Sequence, residues 1–289
     1  MMSQKHASYR ADKRRFAVLI GAPSLIWQLV FFLLPLLFLV MMTFWSVRNF
    51  RLQPDFTLAN WTMILNAGFF RSAYLYTFSI SMITAAIAAV AAFPVAYLIS
   101  FRLSPAAQRM LMGLLVIPFF TSLPVRIYSM QIFFSPSGLI NSALIGVGLS
   151  PITVLNTPVG ALVGYLTLTM PLVILLQIFA LNGVDRQLVE AAHNLRCGKF
   201  RTVISIIIPS ARVGLVISFA MAFVFAFGDY ISPQFLGGSN PPTLSILMAD
   251  QVKSGNHWPR ASVVAMTMIF TLMAMMGLLL KFAYGRSGR

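Results

Sequence analysis

The sequence predicts an all-α integral membrane protein with six transmembrane helices and both termini in the cytoplasm. Of its 289 residues, 58% are hydrophobic and 9% are charged, and the mean hydropathy is +0.84. Six apolar runs are long enough to cross the hydrocarbon core of a bilayer, which needs about 20 helical residues. Because no stretch of mixed composition has the size of a soluble domain, we expect a single membrane domain.

The predicted spans are residues 16–42, 77–101, 110–134, 158–181, 213–236 and 262–284. A basic tail, 1–15, precedes the membrane domain, 16–284, and a short tail, 285–289, follows it. The first span follows basic residues as a signal peptide would. It is too long for a signal-peptide core and lacks a small-residue cleavage site, so we expect it to be retained as a helix.

The basic residues indicate the orientation of these spans. Fifteen Lys and Arg fall in the segments assigned to one side of the membrane and five in those assigned to the other. The richer segments are 1–15, 102–109, 182–212 and 281–289. By the positive-inside rule these segments are cytoplasmic. The net charge of +15 therefore indicates topology and lipid contact, not nucleic-acid binding. The single cysteine excludes an intramolecular disulfide.

The cytoplasmic loop 182–212, between spans four and five, carries two short amphipathic helices. Apolar residues recur there at i, i+3, i+4 and i+7. They are Leu188, Ala191, Ala192 and Leu195, followed by Phe200, Val203, Ile204 and Ile207. Asp185 fits the N-cap of the first helix, Gly198 fits a break between the two, and Pro209 fits the end of the second. The pair is either a surface element of the membrane or a docking element for another subunit.

Glu190, Ala191, Ala192, Ile206 and Pro209 have the spacing of the EAA loop, so the segment resembles that of permease subunits of ABC importers. The resemblance implies that Leu188 and Leu195 also belong to an ATPase-coupling surface. Arg196 stands where the family places glycine, and Gly198 follows two residues later. We therefore expect the turn between the helices to be shifted or differently closed.

Three further stretches resemble the spermidine/putrescine-type permeases: IPFFTSLPVRIYSM at 117–130, SGLIN at 137–141 and FAFGDYISPQFLGG at 225–238. This resemblance implies a type I, MetI-like importer fold in a bacterial inner membrane. It also implies a second permease subunit, two cytoplasmic ATP-binding subunits and an extracytoplasmic substrate-binding protein. Polyamines are the cargo that it favours, with opines, amino-acid derivatives, phosphonates and iron complexes as alternatives.

Enzyme classes receive no support from the residues. The chain lacks the phosphate-binding pattern G-x-x-x-x-G-K-[ST], so we expect ATP hydrolysis on a separate subunit. Three scattered histidines, one cysteine and no paired carboxylates predict no metal, cofactor or acid–base site. The alternative class is a secondary transporter, which typically carries ionisable residues within its spans.

Arg126 and Asp229 are such residues, and each lies about 16 residues from the predicted cytoplasmic end of its span, or ~24 Å along a straight helix. They are therefore predicted to lie at one depth. They either form a structural pair or face one polar cavity, with Asp229 on a substrate pathway or gate. Tyr128 and Tyr230 lie beside them in sequence and could hold a cation by cation–π attraction.

Overall fold

The computed structural model describes residues 21–49 and 51–285. The predicted tail 1–15, the start of span one and residues 286–289 lie outside the described residues. The helices are α1 (Gly21–Met42), α2 (Ala59–Leu65), α3 (Gly68–Arg102), α4 (Pro105–Val116), α5 (Leu123–Phe134), α6 (Leu139–Gly146), α7 (Pro158–Asn182), α8 (Arg186–Asn194), α9 (Lys199–Ser210), α10 (Arg212–Gly228), α11 (Ile231–Phe235), α12 (Leu244–Lys253) and α13 (Trp258–Tyr284). A hairpin between the first two spans pairs β1 (Ser46–Arg48) with β2 (Arg51–Gln53).

The helices provide six candidate crossings, the number predicted, if each of two bent pairs forms one crossing. Helices α1, α3, α7 and α13 are long and apolar enough to cross the membrane unbroken. Two bent pairs supply the others: α4, extended by a 3₁₀ turn to Phe120, bends by 93° into α5 and α6, and α9 bends by 76° into α10.

Two predicted spans differ from the structure: one is broken and the other ends early. Residues 110–134 do not form one straight helix, because the chain breaks at Thr121 and Ser122. Pro118 lies in the 3₁₀ turn before this break and Pro124 in the first turn of α5. Proline removes an amide donor and is tolerated at a helix start but not inside a regular helix. The span predicted at 213–236 also ends early, at Gly228.

The structural core is formed by α3, α7 and α10, whose facing residues are small. The alanines at 85, 88, 92 and 96 of α3 are fully buried. At Gly214 of α10, an added Cβ would lie 2.3 Å from the Cβ of Ala180 in α7. Small residues allow this close approach, which supplies packing energy where lipid offers no hydrophobic drive between helices.

A buried glutamine ties the same three helices together. The amide nitrogen of Gln177 in α7 donates to the carbonyl of Ala89 in α3 at 2.9 Å and to the hydroxyl of Ser218 in α10 at 3.4 Å. Ala89 lies five residues before Pro94, an internal proline of α3. Interhelical hydrogen bonds of this kind hold membrane helices in register.

Replacing Gly214 with Ala is expected to destabilise the protein by about 2 kcal/mol, as overpacking of a close contact does. The clash is with a short side chain that cannot rotate away. Gly113 is the matched control, because a Cβ there meets nothing within 4 Å, so Gly113→Ala should leave stability equal or higher. Thermal unfolding of the detergent-solubilised chain checks this, and equal melting temperatures for both variants would contradict it.

Candidate functional site

The first helix of the cytoplasmic loop, α8, is capped and anchored by its own side chains. The Asp185 carboxylate accepts from the amide of Gln187 at 2.9 Å, as an N-cap should. Arg186 donates to the carbonyl of Ser100 at 2.9 Å, and its guanidinium lies 5.7 Å from the ring centroid of Phe101. The loop is therefore fastened to the cytoplasmic end of α3.

The turn after α8 places Arg196, not Gly198, in the conformation that favours glycine. The amide of Cys197 donates to the carbonyl of Ala192, and that of Arg196 donates to His193, both at 2.9 Å. This is the hydrogen-bond pattern of a Schellman cap, with Arg196 in the left-handed region at φ 55°. Thus the turn forms where the EAA pattern has its glycine, and the expected shift is wrong.

Gly198 lies between the two loop helices, as predicted. Its φ is −64°, a Cβ there meets nothing within 4 Å, and it is the N-cap of α9. A glycine is therefore not needed to break the helices at this position. Helix α9 then continues past Pro209 to Ser210, one residue beyond the predicted stop.

A π-helical turn explains how α9 accommodates Pro209. Residues Val203–Ile207 form the turn, and the amide of Ile208 donates to the carbonyl of Val203 five residues earlier. The wider turn shifts the register of the backbone hydrogen bonds just before the residue that lacks an amide donor. The bend into α10 follows at Ala211, which separates the two helices.

The two predicted apolar stripes are divided between the protein and its surface. Ala192 and Ile207 are 5% and 1% exposed and pack inward. Leu195 and Phe200 are 84% and 79% exposed, and Leu188 is half exposed. We call Leu188, Leu195 and Phe200 the exposed apolar set. Glu190 and Ala191 are also exposed, whereas Ile206 is half-buried.

Asp229 ends α10 and caps the short helix α11. Its carboxylate accepts from the amide of Ile231 at 2.8 Å and from that of Ser232 at 3.3 Å, and its carbonyl accepts from the hydroxyl of Ser245 at 2.8 Å. The residue is 8% exposed. Its carboxylate therefore satisfies backbone groups that lipid could not.

Arg126 lies beyond the break in span three and makes hydrogen bonds across it. Its guanidinium donates to the carbonyl of Pro118, to the hydroxyl of Thr121 at 3.0 Å and to the carbonyl of Thr167 in α7 at 3.2 Å. Arg126 and Asp229 do not form an ion pair. Within residues 21–49 and 51–285, the ion pair is between Arg48 and Asp55. The expectation of equal depth assumed a straight span.

The two predicted tyrosines contact different partners. The Tyr128 ring lies 5.1 Å from that of Phe235 in α11. The Tyr230 hydroxyl accepts from the ammonium of Lys253 at 3.1 Å, and that ammonium lies 5.2 Å from the Tyr230 ring centroid. Lys253 was not predicted as a site residue, because residues 237–260 were expected to form a loop. The sequence carries no signal that α12 places Lys253 against Tyr230.

Two buried hydroxyl groups near Asp229 also escaped sequence reasoning. Tyr165 and Ser232 are fully buried, and the hydroxyl of each lacks a hydrogen-bond partner among the described residues. Ser232 packs on Gly164, the residue before Tyr165, where an added Cβ would lie 2.7 Å from the Cβ of Ser232. An aromatic residue in an apolar span carries no sequence signal of such an environment.

Comparison with known proteins identifies the family. Residues 87–287 match the model described as the binding-protein-dependent transport system inner membrane component. The chain belongs to this family. It is a multi-pass inner membrane protein, and the relatives that it matches are transport components.

Among its relatives, the family member PotB of Haemophilus influenzae, a spermidine/putrescine transport system permease protein, is 28% identical over 267 residues, covering 91% of each chain. A solved bacterial ABC transporter that imports the acidic polysaccharide alginate superimposes with a TM-score of 0.76 at 17% identity, over 97% of this chain and 98% of that one. The alginate transporter with its alginate pentasaccharide-bound periplasmic protein gives 0.71 at 16% identity, over 98% and 96%. These likenesses confirm the predicted importer permease fold.

Replacing Arg196 with Gly should stabilise the loop by about 1 kcal/mol, because glycine removes the cost of a left-handed backbone. Gly198→Ser is the companion variant and should be neutral or stabilising, since serine caps helices well. Hydrogen exchange of the 192–198 amides is the measurement. Faster exchange in Gly198→Ser with no gain in Arg196→Gly would show that Gly198 is the required glycine after all.

Proposed function

We propose that this chain is the permease subunit of a binding-protein-dependent ABC importer of polyamines. The observation that carries the proposal is the 28% identity to the spermidine/putrescine permease PotB over 91% of both chains. A second permease subunit, two cytoplasmic ATP-binding subunits and an extracytoplasmic substrate-binding protein complete the importer. ATP binding closes the two ATPase subunits, and the pore formed by the two permeases opens alternately to each side.

The cytoplasmic loop is the part of the chain suited to receive that movement. The exposed apolar set, Leu188, Leu195 and Phe200, presents hydrophobic surface on a loop that also exposes charged side chains. Burying such side chains against a partner is favourable by about 25 cal/mol per Å² of apolar surface. The exposed carboxylate of Glu190 can pair with a basic group of the ATPase at the edge of the contact.

The loop is fixed at both ends, so a push on it moves the spans. Arg186 holds α8 to the end of α3. The buried Ile207 and the close contact of Gly214 with Ala180 hold α9 and α10 to the core. A displacement at the exposed apolar set therefore reaches α3, α7 and α10 through packed side chains, without a flexible linker between them.

Ala192 has a different role in this arrangement from Leu195. It is buried within the chain, so a bulky residue there would disturb the loop itself. Variants of the exposed apolar set test docking more directly because they leave the internal packing intact.

Leu195→Ser and Phe200→Ser together are expected to reduce co-purification of the ATPase subunit at least tenfold and to abolish substrate-stimulated ATP hydrolysis in the reconstituted importer. The reason is the loss of two exposed apolar side chains from the contact. Phe56→Ser is the matched control, because Phe56 is also highly exposed but lies in the segment between spans one and two, on the opposite side of the membrane. Normal co-purification and coupling in the double variant would contradict a docking role.

On the outer half of the protein, we assign Asp229 and Tyr230 to the substrate pathway or gate. A carboxylate beside an aromatic ring attracts an ammonium group by charge and by cation–π interaction. The ammonium of Lys253 lies 5.2 Å from the Tyr230 ring centroid, so a substrate cation would replace Lys253 on this ring. The fully buried hydroxyl groups of Tyr165 and Ser232 offer acceptors to an ammonium when α7 and α11 move apart.

Asp229→Asn separates charge from capping, since an asparagine oxygen can still accept from the amides of Ile231 and Ser232. In proteoliposomes that contain the complete importer, we expect uptake of labelled spermidine to fall about tenfold or more, as for loss of a charged hydrogen bond. Assembly should be unchanged. Asp229→Ala removes both functions and should also lower stability.

Two outcomes would count against these assignments. Wild-type spermidine uptake by Asp229→Asn, combined with loss of assembly in Asp229→Ala, would leave Asp229 as a helix cap only. Absence of spermidine binding by the partner binding protein and of spermidine uptake by the unmodified importer would overturn the polyamine cargo itself.

A further inference from the structure

A cavity lies between the cytoplasmic end of α3 and the two loop helices. Its volume is about 280 Å³. Aromatic side chains and charged side chains share its wall. The lining residues that matter here are Tyr97, Phe101, Arg102, Arg186, Glu190 and Lys199.

The charges around this cavity do not balance. Arg102, Arg186 and Lys199 contribute three cations, against the carboxylate of Glu190, and His193 lies in the same wall. The described part of the chain contains no ion pair between Glu190 and any of these cations. Arg186 uses one of its five N–H donors on the Ser100 carbonyl. The cavity is therefore electropositive.

The start of helix α9 adds to this positive potential. Gly198, the N-cap, has no side chain with which to cap the helix, and the first amides of any α-helix lack intrahelical acceptors. Lys199 and Thr202 of this first turn line the cavity. Helix N-termini and basic side chains together are the usual protein ligands of phosphate groups.

We propose that this cavity binds a phosphate-bearing anion, held by Arg102, Arg186, Lys199 and the first turn of α9. Its position at the cytoplasmic ends of the spans puts it at the level of lipid head groups. The phosphate can therefore come from an anionic phospholipid or from a soluble phosphate compound. The bound anion would bridge α3 to α8 and α9 and so stiffen the loop against the spans.

The test uses the full chain with two probes. In nanodiscs, retention of phosphatidylglycerol over phosphatidylcholine is measured by native mass spectrometry. In phosphatidylcholine nanodiscs, binding of labelled inorganic phosphate is measured by equilibrium dialysis. Retention of phosphatidylglycerol identifies a head-group site, and binding of phosphate identifies a site for soluble anions.

The variants use charges inside and outside the cavity. Arg102→Gln and Lys199→Gln should each weaken binding of the probe about fivefold, as for loss of one basic residue near an anion. Arg109→Gln and Lys281→Gln are the matched controls, because these exposed basic residues belong to the same cytoplasmic side but do not line the cavity. Glu190→Gln should tighten binding by a similar factor, since it removes the carboxylate.

The proposal is overturned if neither probe binds, or if the cavity variants and the control variants weaken binding equally. It also fails if Glu190→Gln weakens binding of the anion. Loss of ATPase co-purification in Arg102→Gln and Lys199→Gln, with no probe bound to the unmodified chain, would make the cavity a protein contact instead.

Discussion

The need to satisfy backbone hydrogen bonds without water is the constraint on which the rest of this structure depends. In lipid an unpaired amide or carbonyl costs several kcal/mol, so a helix can break only where the protein supplies partners. Arg126 supplies donors at the break of span three. Asp229 supplies acceptors where α10 ends and α11 begins. Arg126 and Asp229 are thus used, in the first place, to permit irregular backbone.

Small residues and one buried amide hold the three core helices together. Because Gly214 and Ala180 let α10 and α7 touch, and Gln177 links both neighbours of α7, the three core helices form a stiff unit. The short helix α11 packs on that unit through the close contact between Gly164 and Ser232. Stiffness of this kind suits a subunit that is proposed to transmit motion, because displacement at one end is not absorbed in between.

The cytoplasmic loop combines two opposite requirements. Its inward residues, such as Ala192 and Ile207, fasten it to the spans, while Leu195 and Phe200 leave apolar surface uncovered. Its charged side turns toward a cavity in which the cations outnumber the carboxylate. One short segment therefore presents a proposed protein contact and a proposed anion site, and Glu190 borders both. A change in the charge of Glu190 would therefore affect both the proposed protein contact and the proposed anion site.

Composition and hydropathy by themselves determined the membrane class and predicted six crossings, and the resemblance of short motifs indicated the family and the place of the EAA loop, because hydropathy and short motifs are local properties of the chain. The sequence also predicted Asp185 as the N-cap of α8, which its hydrogen bond from the Gln187 amide confirms. Tertiary structure alone decided that span three breaks, that Arg126 binds carbonyls and not Asp229, and that the left-handed residue is Arg196. It also brought Lys253 to Tyr230. These features depend on contacts between residues far apart in sequence or on backbone angles. The periodicity of apolar residues contains no information on either.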